Sequence, residues 1–374
     1  MPTDPQQLVE QIHASATPTV FAITGGGSGA IAALLEVPGA SATVLEAVVP
    51  YSATALEQWL SGPVDHYCSE RTARAMAMAA FERARKLSAA DPRTLRGIGA
   101  TASLVSNRPK RGPHRIHVAW QSADTTSVVS CELTKGARTR AEEEHIATQL
   151  ILNAVVESCA VDAFLSIEQD GSVLTRREQR APQAWTELLL GERTHVAYPD
   201  QAANAASSQP ILFPGAFNPI HAAHQRMAQI AAEQLGHPVT FELSIANVDK
   251  SPLDFLEIAD RLEQLAGQRV LLTRAPRFVE KAQLAPGCTF LVGADTIARI
   301  GDPKYYAGGS SQRDAAIAAI ADAGCRFLVF GRALKSSFET LEGLDLPPQL
   351  RDICQQIPES VFREDLSSTE LRGA

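Results

Sequence analysis

The stretch Ile211 to His224, ILFPGAFNPIHAAH, sets two histidines three residues apart where a short apolar run, broken at Pro214-Gly215, gives way to an Ala/Gln/Met/Ile segment. The apolar run reads as a buried strand and the segment after Pro219 as a helix, so the histidines fall at a strand-to-helix turn. Three residues apart, His221 and His224 share one face of the helix's first turn. Free backbone N–H groups and the positive end of the helix dipole favour an anion there, and two imidazoles add directed donors. Asn218, just before Pro219, would hold the turn and could reach a phosphate or ribose. The plain alternative is a pair of surface histidines, but Gly-x-Phe-Asn-Pro-x-His-x-x-His is a long pattern for that. Near the end of the chain, Ser367-Ser-Thr-Glu-Leu-Arg372 reads as a second helix start. Its Ser and Thr residues cap free N–H groups and Arg372 adds a forked donor, an arrangement that is a bare helix cap alone and a phosphate seat beside the histidines.

The chain is long enough for two domains with proper cores, and 45% apolar against 20% charged residues is ordinary globular composition. A formal charge of −8 without a long basic run argues against nucleic acid or an anionic membrane as a partner, so a phosphate ligand must be held by local groups. The six cysteines form no C-x-x-C pair and no Cys/His cluster at metal spacing. They are read as reduced core thiols, and no protein metal site is expected. The first residues are polar, without the pattern of a secretory signal, and no apolar run approaches the roughly 20 residues of a membrane span. A cytoplasmic location is expected.

The pattern predicts an α/β protein of two domains, residues 8–160 and 210–374, joined by a transition and linker over 161–209. In the first, a strand over Val20–Thr24 runs into Gly25-Gly26-Gly27-Ser28-Gly29 and a helix from Ala30 to Leu35. Helices over Thr54–Leu60 and Ser69–Leu87 follow, then a hairpin pair over His114–Gln121 and Thr126–Leu133 and a long helix over Arg138–Val156. The Gly-rich turn could seat an anion but lacks the lysine of a P-loop. In the transition, Ala163–Ile167 reads as a strand, Gln183–Leu190 as a helix and His195–Tyr198 as a strand. The run Arg176-Arg177-Glu178-Gln179-Arg180 reads as a solvated face or loop rather than a binding patch. The second domain alternates strand and helix, which implies a parallel sheet with ligands at the carboxyl ends of its strands.

The His221/His224 motif resembles the H-x-G-H signature of the nucleotidyltransferase superfamily, and Leu366 to Arg372 resembles its I-S-S-T-x-I-R signature. The resemblance, over roughly Gln209 to Arg372, implies a Rossmann-like parallel-sheet domain that moves AMP from Mg²⁺-bound ATP to a small phosphorylated acceptor. By the same resemblance His221, His224 and Arg372 carry the chemistry, and Gly215, Phe217, Asn218, Ser367, Ser368 and Thr369 surround the ATP phosphates. Gly293-Ala294-Asp295 is similar to the G-x-D loop of nicotinate and nicotinamide mononucleotide adenylyltransferases, although Asp295 also suits a plain helix cap. Lys250 stands where that family has a phosphate-contacting lysine, and Arg277 or Arg274 could meet an acceptor phosphate. Taken with the resemblance of the N-terminal half, this one implies a nicotinate or nicotinamide mononucleotide acceptor, and so NAD biosynthesis; a cytidylyltransferase or pantetheine-phosphate acceptor is the competitor. Three departures bear on turnover: Ala223 replaces the signature glycine, no tryptophan lies in this region, and the chain stops two residues after Arg372. A nucleotide-binding or regulatory protein with drifted sites is the alternative to an enzyme.

Thr24-Gly25-Gly26, Glu36-Val-Pro-Gly-Ala-Ser41 and Val49-Pro-Tyr-Ser52 resemble a second family, the C-terminal domain of the competence/damage-inducible protein CinA, a nicotinamide-nucleotide amidohydrolase. In that family a serine is the nucleophile and a lysine activates it; here the first position falls at Thr24, within a residue or so, and the second on Leu56. Leucine can activate nothing. Ser28 or Ser103 as nucleophile and His66, His114 or His117 as base remain alternatives. The resemblance therefore implies a retained fold used for packing, homo-oligomerisation or ligand sensing, with amidase activity as the alternative.

Overall fold

The computed structural model describes residues 3–107, 111–167, 171–199, 209–248, 250–334 and 337–363, with only the backbone at 332–334 and 337. The chain divides into two compact units, Met1–Leu190 with Asp249–Ala259, and Gly191–Val248 with Asp260–Ala374.

The first unit opens with α1 (Pro5–Ala14), β1 (Thr19–Thr24), α2 (Gly29–Glu36), β2 (Val44–Val48), α3 (Ala53–Trp59) and α4 (Glu70–Leu87). It continues through β3 (Arg96–Ser103), β4 (His114–Gln121), β5 (Thr125–Leu133), α5 (Arg140–Ser158), β6 (Val173–Arg180) and α6 (Gln183–Leu190). Its sheet has the order β2-β1-β3-β4-β5-β6, with β1 parallel to both neighbours and the rest antiparallel. One face buries Leu8 and Ile12 of α1, Leu34 of α2 and Leu150 and Ile151 of α5 against Phe21, Ile98 and Val118. The other face receives the Ala-rich α4, whose Ala73 and Ala77 pack with Ala119 and Val128. A Cβ at Gly97 would lie 2.2 Å from the Ala77 carbonyl oxygen, and one at Gly99 2.3 Å from that of Ala73. Glycine on the strand and alanine on the helix together permit that close approach.

One reading of the transition is corrected: Ala163–Ile167 forms no strand. The charged run lies on β6, an edge strand whose side chains are mostly exposed. The face is solvated, as expected, but backbone pairing with β5 makes it regular. Sparse apolar residues hid it: an edge strand needs no buried alternation.

The second unit contains β7 (His195–Tyr198), β8 (Ile211–Pro214), α7 (Ala222–Leu235), β9 (Val239–Ser244) and α8 (Phe255–Gln264), whose first residues belong to the other unit. Next come β10 (Arg269–Thr273), α9 (Phe278–Leu284), β11 (Thr289–Gly293), α10 (Ala294–Gly301), α11 (Gly309–Asp322) and β12 (Arg326–Phe330). A hairpin, β13 (Arg332–Leu334) and β14 (Ser337–Glu339), then α12 (Pro348–Arg351) and β15 (Cys354–Gln356) complete it. The sheet order is β15-β12-β11-β8-β9-β10-β7, parallel throughout except for β7. From β8 the chain winds outward through β9 and β10, then returns to the other side of β8 for β11 and β12. That reversal opens a crevice at the carboxyl ends of β8 and β11. No helix among the described residues is long and apolar enough to cross a membrane.

Candidate functional site

The crevice is built first by the turn after β8. Gly215 extends the strand pairing, its N–H donating to the Glu242 carbonyl at 3.1 Å. Phe217 then takes φ 45°, a left-handed conformation costly for a large side chain. Its ring meets Phe213 at 5.3 Å, Phe241 at 5.2 Å and His224 at 5.3 Å between centroids, which offsets that cost with buried aromatic contact. A Cβ at Gly215 would come within 2.5 Å of the Phe217 ring, so only glycine leaves room for this fold-back. His221 is the N-cap of α7, in extended conformation, and its backbone N–H donates to Nδ1 of His224 at 3.3 Å. With Nδ1 accepting, the neutral His224 ring carries its proton on Nε2, which becomes the donor. The two imidazoles stack at 3.8 Å between centroids with a 33° tilt. Both are half-buried, while Ala223 between them is buried.

Across the crevice, Asp295 stands in the first turn of α10, directly after β11, and pairs with Arg299 at 3.2 Å. Arg277, at the start of α9, is exposed and forks onto Glu280, with Nε at 2.8 Å and a terminal nitrogen at 2.7 Å. Beneath that loop is an ion pair that the sequence reading missed. Glu242, 1% exposed on β9, receives Lys281 Nζ on both carboxylate oxygens at 2.7 and 2.8 Å. Thr273 donates to the same carboxylate, and Lys281 also donates to the Ala275 carbonyl at 2.6 Å. The pair fastens α9 and the loop after β10 to the centre of the sheet. Its signal was a single acid inside the apolar strand Val-Thr-Phe-Glu-Leu-Ser, a charge that must find a partner when buried.

Lys250 is placed in the first unit, exposed, with its side chain along Gly62. Ser367, Ser368, Thr369 and Arg372 lie outside the described residues. The crevice of the second unit therefore gathers Gly215, Phe217, Asn218, His221 and His224 from the β8–α7 turn with Asp295 from the start of α10.

In the first unit, the Gly25–Gly29 turn lines a cleft of about 460 Å³ with Thr24, Tyr51, Arg140 and Glu144. The anion seat of the turn is taken by the protein's own carboxylate: Gly27 N–H donates to Glu144 Oε1 at 2.8 Å and Ser28 Oγ to the same oxygen at 3.3 Å. Arg140 binds the Gly25 carbonyl at 3.0 Å and that of Val105 at 3.2 Å. Thr24 donates its hydroxyl to the Pro50 carbonyl at 3.0 Å, so its partner is an acceptor that cannot remove its proton. Leu56 is buried in an apolar cluster with Ala22 and Met76. Among the alternative bases, His114 binds Glu143 at 2.7 Å and His117 binds Ser130 at 2.7 Å.

Residues 212–374 match the family model described as cytidylyltransferase-like. This part of the chain is a cytidylyltransferase-like domain. Such domains belong to the nucleotidyltransferase superfamily. No curated protein matches the chain. Among solved structures, the N-terminal region is similar to the competence/damage inducible protein CihA from Agrobacterium tumefaciens, at 21% identity, 42% of this chain, 97% of that chain and a TM-score of 0.35. The corresponding figures for a CinA superfamily protein from Escherichia coli are 18%, 41%, 90% and 0.33. For one from Klebsiella pneumoniae they are 15%, 42%, 99% and 0.34.

Proposed function

We propose that the cytidylyltransferase-like domain transfers AMP from Mg·ATP to the phosphate of nicotinate or nicotinamide mononucleotide, releasing pyrophosphate. The observation that carries this reading is the His221/His224 pair, held at the start of α7 beside the crevice between β8 and β11. An oxygen of the acceptor phosphate attacks the α-phosphorus of ATP, and the bond from that phosphorus to the bridging oxygen of pyrophosphate breaks. The protein forms no covalent bond in such a step; positioning and charge stabilisation supply the catalysis. In this reading His224 and the first N–H groups of α7 donate to phosphate oxygens. Asp295, on the opposite wall, is offered as the contact for the acceptor, and Arg277 reaches it on exchanging Glu280 for a phosphate. Magnesium would enter as part of the Mg·ATP substrate and would offset phosphate charge there.

The first unit we read as a scaffold rather than an amidase, because Thr24 has a carbonyl for a partner and Leu56 is core. The test is pyrophosphate release from Mg·ATP with nicotinate mononucleotide, nicotinamide mononucleotide, phosphopantetheine and phosphocholine, wild type beside His224→Ala. Turnover with a mononucleotide, lost in the variant, is expected. ATP binding without release for any acceptor would leave a nucleotide-binding protein instead.

A further inference from the structure

The charged run on β6 ends in a residue that the proposed reaction does not use. Arg176 is taken up by Glu157 and Glu178, and Arg177 binds Glu70 at 3.0 Å. The Arg180 guanidinium has no hydrogen bond or ion pair among the described residues. Exposed itself, it lines a cleft of about 490 Å³ with Arg93, Arg96, Asp124, Gln183, Thr186 and Glu187. The antiparallel half of the sheet brings these together. Arg96 begins β3 and Arg180 ends β6 opposite Thr125, while the Ala181 N–H is tied to the Asp124 carbonyl at 2.7 Å. This is the end of the sheet away from the Gly-rich turn, which follows β1 at the carboxyl end of the parallel strands.

Arg96 is the second unusual group. Partly buried, it donates through Nε to the Ser158 carbonyl at 2.7 Å and through Nη1 to those of Arg93 and Leu95 at 2.9 and 2.8 Å. Three neutral carbonyls orient the guanidinium without neutralising it, its Nη2 has no partner among the described residues, and no carboxylate lies within salt-bridge distance. Burial works against the charge and pulls its pKa below the ordinary value, with only long-range help from Cys159 and Asp124. A positioned, uncompensated cation beside a second unpaired one marks a place for an anion. The start of α6 adds its first N–H groups and the Thr186 hydroxyl, while the Gln183 amide donates to Glu187 at 2.7 Å. So many donors suit the three terminal oxygens of a phosphate better than the two of a carboxylate. The cleft is larger than a phosphate alone needs, which leaves room for a polar, sugar-sized remainder against Asp124.

We propose that this cleft binds a small sugar phosphate, its phosphate held by Arg96 and Arg180. The test is isothermal titration of the full chain with ribose 5-phosphate, using ribose and acetate at matched ionic strength as controls. It is run in a His221→Ala/His224→Ala background, so that phosphate held at the nucleotide crevice does not contribute. Saturable binding in that background, weakened roughly tenfold or more by Arg180→Ala and by Arg96→Gln, with ribose silent, is expected. Should Arg96→Gln fail to fold, Arg180→Ala decides alone, since its side chain supports no other residue. No binding in the histidine-free background, the same affinity in Arg180→Ala, or acetate binding as well as ribose 5-phosphate, would each overturn the proposal.

Discussion

His224 accepts the His221 backbone N–H on Nδ1, which orients its ring, and under the proposed reaction it would act as a preorganised donor. His224→Ala is expected to lower kcat/KM for the mononucleotide about a hundredfold or more, with the far-UV circular dichroism and melting temperature close to wild type. Steady-state pyrophosphate release checks this, and an unchanged kcat/KM would remove the histidine from the reaction. Gly215 tests the turn itself: Gly215→Ala places a methyl 2.5 Å from the Phe217 ring. Displacing that ring, which touches His224, is expected to depress turnover more than it depresses stability; equal activity at saturating substrate would show that the turn tolerates the shift. His117 supplies a pH dependence. Burial, aided by Arg115, lowers its pKa from 6.5 to about 4. Between those values the unfolded chain holds a proton that the folded protein does not, so the stabilisation is present above pH 6.5 and is lost as pH falls towards 4. The partly exposed ring is screened by water, so the loss is on the order of 1–2 kcal/mol. Urea unfolding at pH 7 and pH 4.5 is expected to show a steeper decline for wild type than for His117→Asn, and parallel declines would contradict the assignment.

At the scale of elements, two buried ion pairs anchor segments that the apolar pattern alone leaves loose. Lys281 and Glu242 join α9 to the middle of β9. Lys281→Met leaves a carboxylate buried without its cation and is expected to cost about 3–5 kcal/mol in urea unfolding. Lys281→Met with Glu242→Met removes both charges and should recover most of that loss. A double variant no more stable than the single one would mean that the pair does more than cancel its own desolvation. Arg74 plays the equivalent part on α4, 4% exposed and 2.6 Å from Asp254, with Glu257 at 3.7 Å. Its guanidinium is discouraged first by burial, yet the carboxylates of Asp254, Glu257 and Glu70 together raise its pKa above the ordinary value. Helices α4 and α6 were readable because composition and periodicity agreed over their lengths. Strand β6 was not, because a paired edge in water carries no apolar signature.

At the scale of the whole chain, eleven residues from the connection between β9 and β10, Asp249–Ala259, belong to the first unit. There Leu256 packs with Ala73, Ala77, Ala119 and Val128, Phe255 stacks on Trp185 at 6.2 Å, and the Phe255 N–H donates to Thr126 Oγ1 at 3.0 Å. A fragment beginning at Gly191 lacks every one of those partners. Hydrogen exchange at Phe255 and Leu256 is expected to be slow in the full chain and fast in the fragment; equal protection would show that the segment folds without them. The sequence by itself determined what is local or periodic. Those are the two α/β halves, the strand-to-helix turn with its histidine pair, and the solvated character of the Arg176–Arg180 run. Each of those is written in neighbouring side chains and in the conformations they permit. Only the tertiary structure decided that Lys250 belongs to the first unit, that Glu144 fills the Gly-rich turn, that Glu242 meets Lys281, and that Arg96 and Arg180 face one cleft. Those pairings join residues far apart in the chain, and no local propensity or spacing encodes which buried charge will meet which.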